Sequence, residues 1–287
     1  MRRFLLLVTA MAGVLLTAPS AHATAPATAA PATTPAIAAP TTDQWDPPGP
    51  HQVSVKNEAV TTFYYPSDIA TGAASYPVII WGNGTFATPP VYDGLLRHWA
   101  SYGFIVAAAN TSFANSGQEM RAGVDRLAVL NGKAGSPFHG KVDLAHIGAA
   151  GHSQGGAGAI NAAADERVTT TVPIQPGPLA TTSGIHGPVL YLAGQNDTIV
   201  NPAWVHDFYA RTGQVPAFYA DLAGATHFTT VGDGGEFRGI TTAWFRYHLS
   251  GDPQARAVFY GSGCGICSGS TWLKVERNAK AQQASGS

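Results

Sequence analysis

His146-Ile147-Gly148-Ala149-Ala150-Gly151-His152-Ser153-Gln154-Gly155-Gly156 runs from short apolar residues into a serine flanked at two positions by glycine, then into small residues through Ala164. The first half reads as a buried strand and the second as a helix, so Ser153 falls at a sharp strand-to-helix turn. Side chains two positions either side of such a turn would collide, which is the steric reason for Gly151 and Gly155. The turn lifts the Ser153 hydroxyl off the sheet. It also aims the helix N-terminus and the Gln154 amide at any oxyanion forming there. A random order of this composition would give roughly 0.2 such G-x-S-x-G motifs, so the flanking strand and helix carry much of its weight.

Outward from this segment the pattern repeats. Residues 51–56 and 59–65 alternate apolar and polar as an antiparallel pair of strands would. Beyond them, short β-branched runs at 77–81, 104–109, 146–150, 169–174, 188–193 and 217–221 read as buried parallel strands. Helical patterns fill the gaps at 91–102, 118–130, 155–164, 202–211 and 235–249. In 118–130 the inward residues are Met120, Val124, Leu127 and either Val129 or Leu130. Such alternation predicts an α/β fold, a single doubly wound and mostly parallel sheet with helices on both faces. Only about 13 residues separate the strand ending at 174 from the one starting at 188, leaving no room for a lid domain.

A serine hydroxyl is a weak nucleophile and needs a base, itself oriented by a carboxylate. In this architecture the chain order is serine, acid, histidine. Asp197 follows the strand at 188–193, in Gly194-Gln195-Asn196-Asp197, and is the expected acid; Asp221 is the alternative. His227, in Ala225-Thr226-His227-Phe228 after the last strand, is the expected base. A histidine base must be neutral, so activity is expected to fall below about pH 6 to 7. His152 lies on the wrong side of the turn to take the serine proton and reads as a packing residue or one that stabilises the turn. Phe86, Trp204 and Phe228 lie near strand C-termini, where this sheet type presents ligands, and are candidate substrate-binding residues.

With these positions placed, the chain resembles the α/β-hydrolase superfamily, and within it the bacterial cutinases, polyester hydrolases and dienelactone-hydrolase-like esterases. Gly151-His152-Ser153-Gln154-Gly155-Gly156 is similar to the family's serine turn, residues 194–197 to its acid turn, and 225–228 to its base loop. The resemblance spans roughly residues 50 to 265. It implies a serine carboxylic ester hydrolase with a Ser153–His227–Asp197 triad and an acyl-enzyme intermediate, while the short loops, with no room for a lid, lead to the expectation of an open groove that suits bulky or polymeric esters. It also implies a second oxyanion donor from Gly84-Thr85-Phe86: the Thr85 amide, with that of Phe86 as the alternative. Two departures stand out: the family's aromatic is replaced by Thr85, and its Met by Gln154. A peptidase or amidase on the same scaffold, a lipid or small-ester esterase, and a non-catalytic binding protein are the rival readings.

Charge excludes other classes. Sixteen Lys and Arg against seventeen Asp and Glu leave −1 over 287 residues, with no basic field for nucleic acid or an anionic membrane. Arg2-Arg3, the apolar run at 4–16 and Ala21-His22-Ala23 are the three parts of a secretory signal peptide at 1–23. Residues 24–42 are almost only Ala, Pro and Thr, an expected disordered spacer. The catalytic domain is then expected over 43–270, with 271–287 as a C-terminal tail, in a secreted protein without an integral membrane segment and expected to be a monomer. Cys264 and Cys267, the only cysteines, are expected to pair, a short loop that stabilises by about 2 kcal/mol in the chain-entropy model. Two cysteines without a histidine cluster make no zinc site, and no P-loop or dinucleotide fingerprint occurs. Neither metal nor cofactor is expected.

Overall fold

The computed structural model describes residue 13 and residues 41–284 other than 73, 262 and 269. Apart from residue 13, the expected signal peptide and nearly all of the spacer therefore lie outside the described residues. The chain divides into two units after Ile37, and the sheet and helices below belong to the second.

Among the described residues, nine strands form one sheet. They are β1 (Val53–Asn57), β2 (Thr61–Pro66), β3 (Tyr76–Gly82), β4 (Ile105–Ala109), β5 (Val142–His152), β6 (Val168–Ile174), β7 (Val189–Gly194), β8 (Ala217–Leu222) and β9 (Trp272–Arg277), in the spatial order β1-β2-β4-β3-β5-β6-β7-β8-β9. Strands β3 to β8 are mutually parallel, while β1, β2 and β9 run antiparallel to their neighbours. The helices are α1 (Asp93–Ser101), α2 (Gln118–Gly132), α3 (Gln154–Ala162), α4 (Pro202–Ala210), α5 (Phe237–Ser250), α6 (Pro253–Phe259) and α7 (Ala279–Gln283).

The central strands are buried on both faces, which is why they read as continuous apolar runs. Their side chains sort by parity. Ile79, Trp81, Leu190 and Leu192 join Trp99 of α1 and Trp244 of α5 in one core. Val78, Ile80, Val189 and Tyr191 join Val124 of α2, Ile160 of α3 and Phe208 of α4 in the other. From β3 the chain crosses on the α1 face to β4, then returns on the α2 face to β5 on the far side of β3. The strand order therefore reverses at β3 and β5, and ligands of such sheets bind outside the carboxyl ends at that point.

Several elements differ from expectation. Strand β5 starts at Val142 rather than 146, because Asp143, Ala145 and His146 are polar or exposed and broke the apolar pattern. The helix expected from residue 91 begins as a 3-10 turn at Pro89–Tyr92 and becomes α-helical only at Asp93. In α2 the inward residue is Leu130, with Val129 exposed. Of the tail expected over 271–287, the described residues 271–284 are instead part of the fold: β9 pairs along β8 and buries Trp272, and α7 follows it. Helix α6 was not anticipated, although Asp252 caps it by accepting from the Gln254 and Ala255 amides and Pro253 opens it. Cys264 and Cys267 are joined by a disulfide. Residues 175–188 hold only a short 3-10 turn at Thr182–Gly184, so no lid is inserted there.

Candidate active site

The serine turn is built by close backbone approach. A Cβ at Gly151 would lie 2.1 Å from the Gly155 carbonyl oxygen, and one at Gly155 would lie 2.0 Å from that of Gly82 in β3. Both positions must be glycine for α3 to start so close to the sheet. Between them Ser153 holds φ 56° and ψ −120°, a region that side-chain-bearing residues rarely adopt. Its amide donates to Ile174 O at 3.0 Å, and its carbonyl accepts from Gly177 N at 2.8 Å. Among the described residues, Phe86, Ser153 and Gln175 are the non-glycines with positive φ. They follow β3, β5 and β6 respectively, so backbone strain gathers along one edge of the sheet.

Asp197 sits in the turn after β7 with its carboxylate fully occupied. Oδ1 accepts from the amides of Ile199 (2.9 Å) and Val200 (2.8 Å). Oδ2 accepts from His227 Nδ1 (2.7 Å) and from Gln175 Nε2 (2.7 Å). Burial by itself would raise this carboxyl; the hydrogen bonds from His227, Val200 and Ile199 outweigh it and hold it below the ordinary carboxylate range. A carboxylate only accepts, so the His227 proton is on Nδ1 and the Nε2 lone pair is left for chemistry.

Ser153 and His227 line one cleft of about 460 Å³, with Thr85, Phe86, Ile199 and Phe228. A second recess of about 240 Å³ opens from the same serine, lined by Gln154, Pro178, Leu179 and Val200. The Ser153 hydroxyl has no hydrogen bond to a protein group among the described residues, so the serine-to-imidazole bond is not made in this state. Catalytic hydrogen bonds commonly tighten only with substrate bound. Cavities of about 510 and 490 Å³ lie elsewhere, but neither includes Ser153 or His227. Chemistry rather than size distinguishes the serine cleft.

The loop after β3 turns through an Ala87 N to Gly84 O bond of 3.0 Å, with Thr85 and Phe86 at its tip. The Gly84 amide is committed to the Tyr92 hydroxyl at 3.2 Å. Gln154 Nε2 donates to Thr85 Oγ1 at 3.3 Å and ties this loop to the serine turn. Phe86 is 86 % exposed and Phe228 65 %, and both line the cleft. Trp204 lines neither recess; it lies half-exposed on α4. Asp221 bonds to no histidine; burial raises its carboxyl, and one of its oxygens is buried without a partner. His152 is buried, with its Nδ1 2.9 Å from the Tyr92 hydroxyl and its ring centroid 4.6 Å from that of His227. Burial, then the neighbouring His227, lowers it to about 3, so it stays neutral.

Sequence reasoning missed Gln175 and Tyr92. Gln175 could have been sought by asking which polar side chain leaves the end of each parallel strand, as Ser153 and Asp197 do.

One sheet reversing at β3 and β5, with a strained serine at the reversal and an Asp–His pair beside it, defines an α/β-hydrolase. Family comparison matches residues 21–263 to the proteins described as PET hydrolase-like, or PETase, and the chain belongs to that family of carboxylic ester hydrolases. It is 28% identical over 219 residues to the bis(hydroxyethyl) terephthalate hydrolase of Streptomyces coelicolor, covering 72% of this chain and 70% of that one. It is 24% identical over 168 residues to Lipase 1 of a Moraxella species, covering 55% and 53%.

Proposed function

We propose that the protein is a secreted serine esterase for bulky, largely apolar esters, aromatic polyester fragments among them, with Ser153, His227 and Asp197 as its triad. The observation that carries this reading is the 2.7 Å His227–Asp197 bond beside a serine strained at the end of β5. His227 Nε2 takes the proton as Ser153 Oγ attacks the ester carbonyl. The amides of Thr85 and Gln154 receive the oxyanion, the latter aided by the N-terminus of α3. His227 then protonates the departing alkoxide, and water, deprotonated by the same imidazole, releases the acid. Asp197 holds the imidazole tautomer and stabilises the imidazolium without itself taking the proton.

The apolar rim supports the substrate class. Phe86, Leu179, Ile199 and Phe228 stand exposed around an open cleft and offer walls for an aryl or alkyl group rather than a polar peptide. The terephthalate ester in the name of the Streptomyces relative points the same way. Export is supported by the residue pattern at 1–23 and by the Cys264–Cys267 disulfide, which persists in oxidising compartments.

The test is a substrate panel on the purified protein: bis(hydroxyethyl) terephthalate, p-nitrophenyl esters of increasing acyl length, and the matched anilides. The expected result is turnover of the aromatic ester and of medium-chain p-nitrophenyl esters, with anilides slower by orders of magnitude. Anilide hydrolysis matching that of esters, or no turnover of any apolar ester, would contradict the reading.

A further inference from the structure

Gln175 is fully buried, yet its backbone takes φ 45°, a strained conformation for a residue with a side chain. Its amide adds a buried tie, at the carboxylate itself, between two loops that the Asn196 N to Ala225 O bond of 2.8 Å already brings together. Nε2 donates one hydrogen to Asp197 Oδ2 at 2.7 Å and the other to the carbonyl of Thr226, the residue before His227, at 2.9 Å. Space is reserved for it, since a Cβ at Gly194 would come within 2.8 Å of that nitrogen. The other end, Oε1, is buried without a partner, as is His152 Nε2, and Gln175 is a polar neighbour of His152. His152 in turn meets the Tyr92 hydroxyl, which accepts from Gly84 in the loop after β3.

We propose that Gln175 is a positioning residue for the triad: its amide pins the Asp197 carboxylate to the loop carrying His227. This inference rests on the proposed triad. A glutamine suits the task because only a neutral amide gives two donors to a carboxylate and a carbonyl while adding no charge to a buried site. A carboxylate there would repel Asp197 and could donate only when protonated. The titratable groups facing it are Asp197, His227 and His152, with Tyr92 behind His152.

Two substitutions test this against p-nitrophenyl butyrate. Gln175→Leu removes both donors and should lower kcat about 10- to 100-fold with KM little changed, because orientation rather than substrate contact is lost. Its acid limb of activity should move to higher pH, since an Asp197 freed of one donor stabilises the imidazolium more strongly. Gln175→Glu is nearly isosteric and carries the sharper signature. Its activity relative to the unchanged enzyme should rise as pH is lowered between about pH 9 and 6, because only the protonated acid can donate to Asp197. Circular-dichroism melting over the same range separates this from unfolding. A flat activity ratio for Gln175→Glu in a folded variant, or a Gln175→Leu variant with unchanged kcat, overturns the proposal. Ser153→Ala run alongside keeps the two readings apart. If it remains active the triad itself has failed; if it is inactive while both Gln175 variants behave as the unchanged enzyme, only the positioning role has failed.

Discussion

Gly155, in the first turn of α3, faces the Gly82 carbonyl, 2.0 Å from any Cβ it could carry. Because the obstacle is backbone, no rotamer change can relieve it. Gly155→Ala should therefore push α3 away from β3 and β5, destabilise by about 1 to 3 kcal/mol, and displace both the Ser153 hydroxyl and the Gln154 amide. Thermal melting and ester hydrolysis of the variant should both fall, and unchanged values of both would refute the steric account of the motif. This demand is also why the serine turn was legible: only glycine fits at two fixed positions, so the geometry leaves a mark in the sequence. Gln175 left none. Between Ile174 and Pro176 it resembles any polar residue ending a strand, and its importance arises only where the turns after β6, β7 and β8 converge. Trp204 shows the opposite error, an aromatic placed near a strand end in sequence whose helix carries it away from the cleft.

At the scale of elements, the parallel strands were legible because burial on both faces makes them continuously apolar. Strand β9 was not, because an edge strand needs only part of its surface covered. In Trp272-Leu-Lys-Val-Glu-Arg277 only Trp272 is buried, while Leu273 and Lys274 are exposed. The pairing with β8 is nonetheless extensive, from Phe218 opposite Arg277 to Leu222 opposite Trp272. Truncation after residue 270 should uncover the β8 edge and the Trp272 site. Losing the tryptophan burial alone is worth about 2 to 3 kcal/mol, or roughly 5 to 10 °C in a domain of this size. Lower melting temperature and aggregation through the bared edge are expected in light scattering. A truncated protein melting like the full chain would show that these residues are a dispensable tail.

Across the described residues, three histidines drawn out of water, His98 and His152 buried and His248 partly so, set the acid limit of the fold. Burial lowers His98 to about 4 and His152 and His248 to about 3. The folded protein thus refuses protons that the unfolded chain accepts once pH drops below about 6.5. Their contribution to stability is complete above that pH and is lost progressively as pH falls toward 3 to 4, with a slope of about 1.4 kcal/mol per pH unit for each proton. Glu58 adds a loss at lower pH: its bonds from Arg126, with Lys56 beside it, hold it at about 2, so that stabilisation fades only below about 4.5. Melting temperature should be level from about pH 7 to 8 and decline steadily below about 6.5, and a curve flat down to pH 5 would contradict the burial of these histidines.

In the proposed mechanism one serine, at the reversal point of one sheet, is made nucleophilic by the imidazole at 227. The most direct measurement of this is reaction with a fluorophosphonate followed by peptide mass mapping. A single adduct on the peptide containing Ser153 is expected, absent in Ser153→Ala and slowed by orders of magnitude in His227→Ala. Ester hydrolysis persisting with Ser153 unlabelled, or an adduct on another residue, would contradict the account.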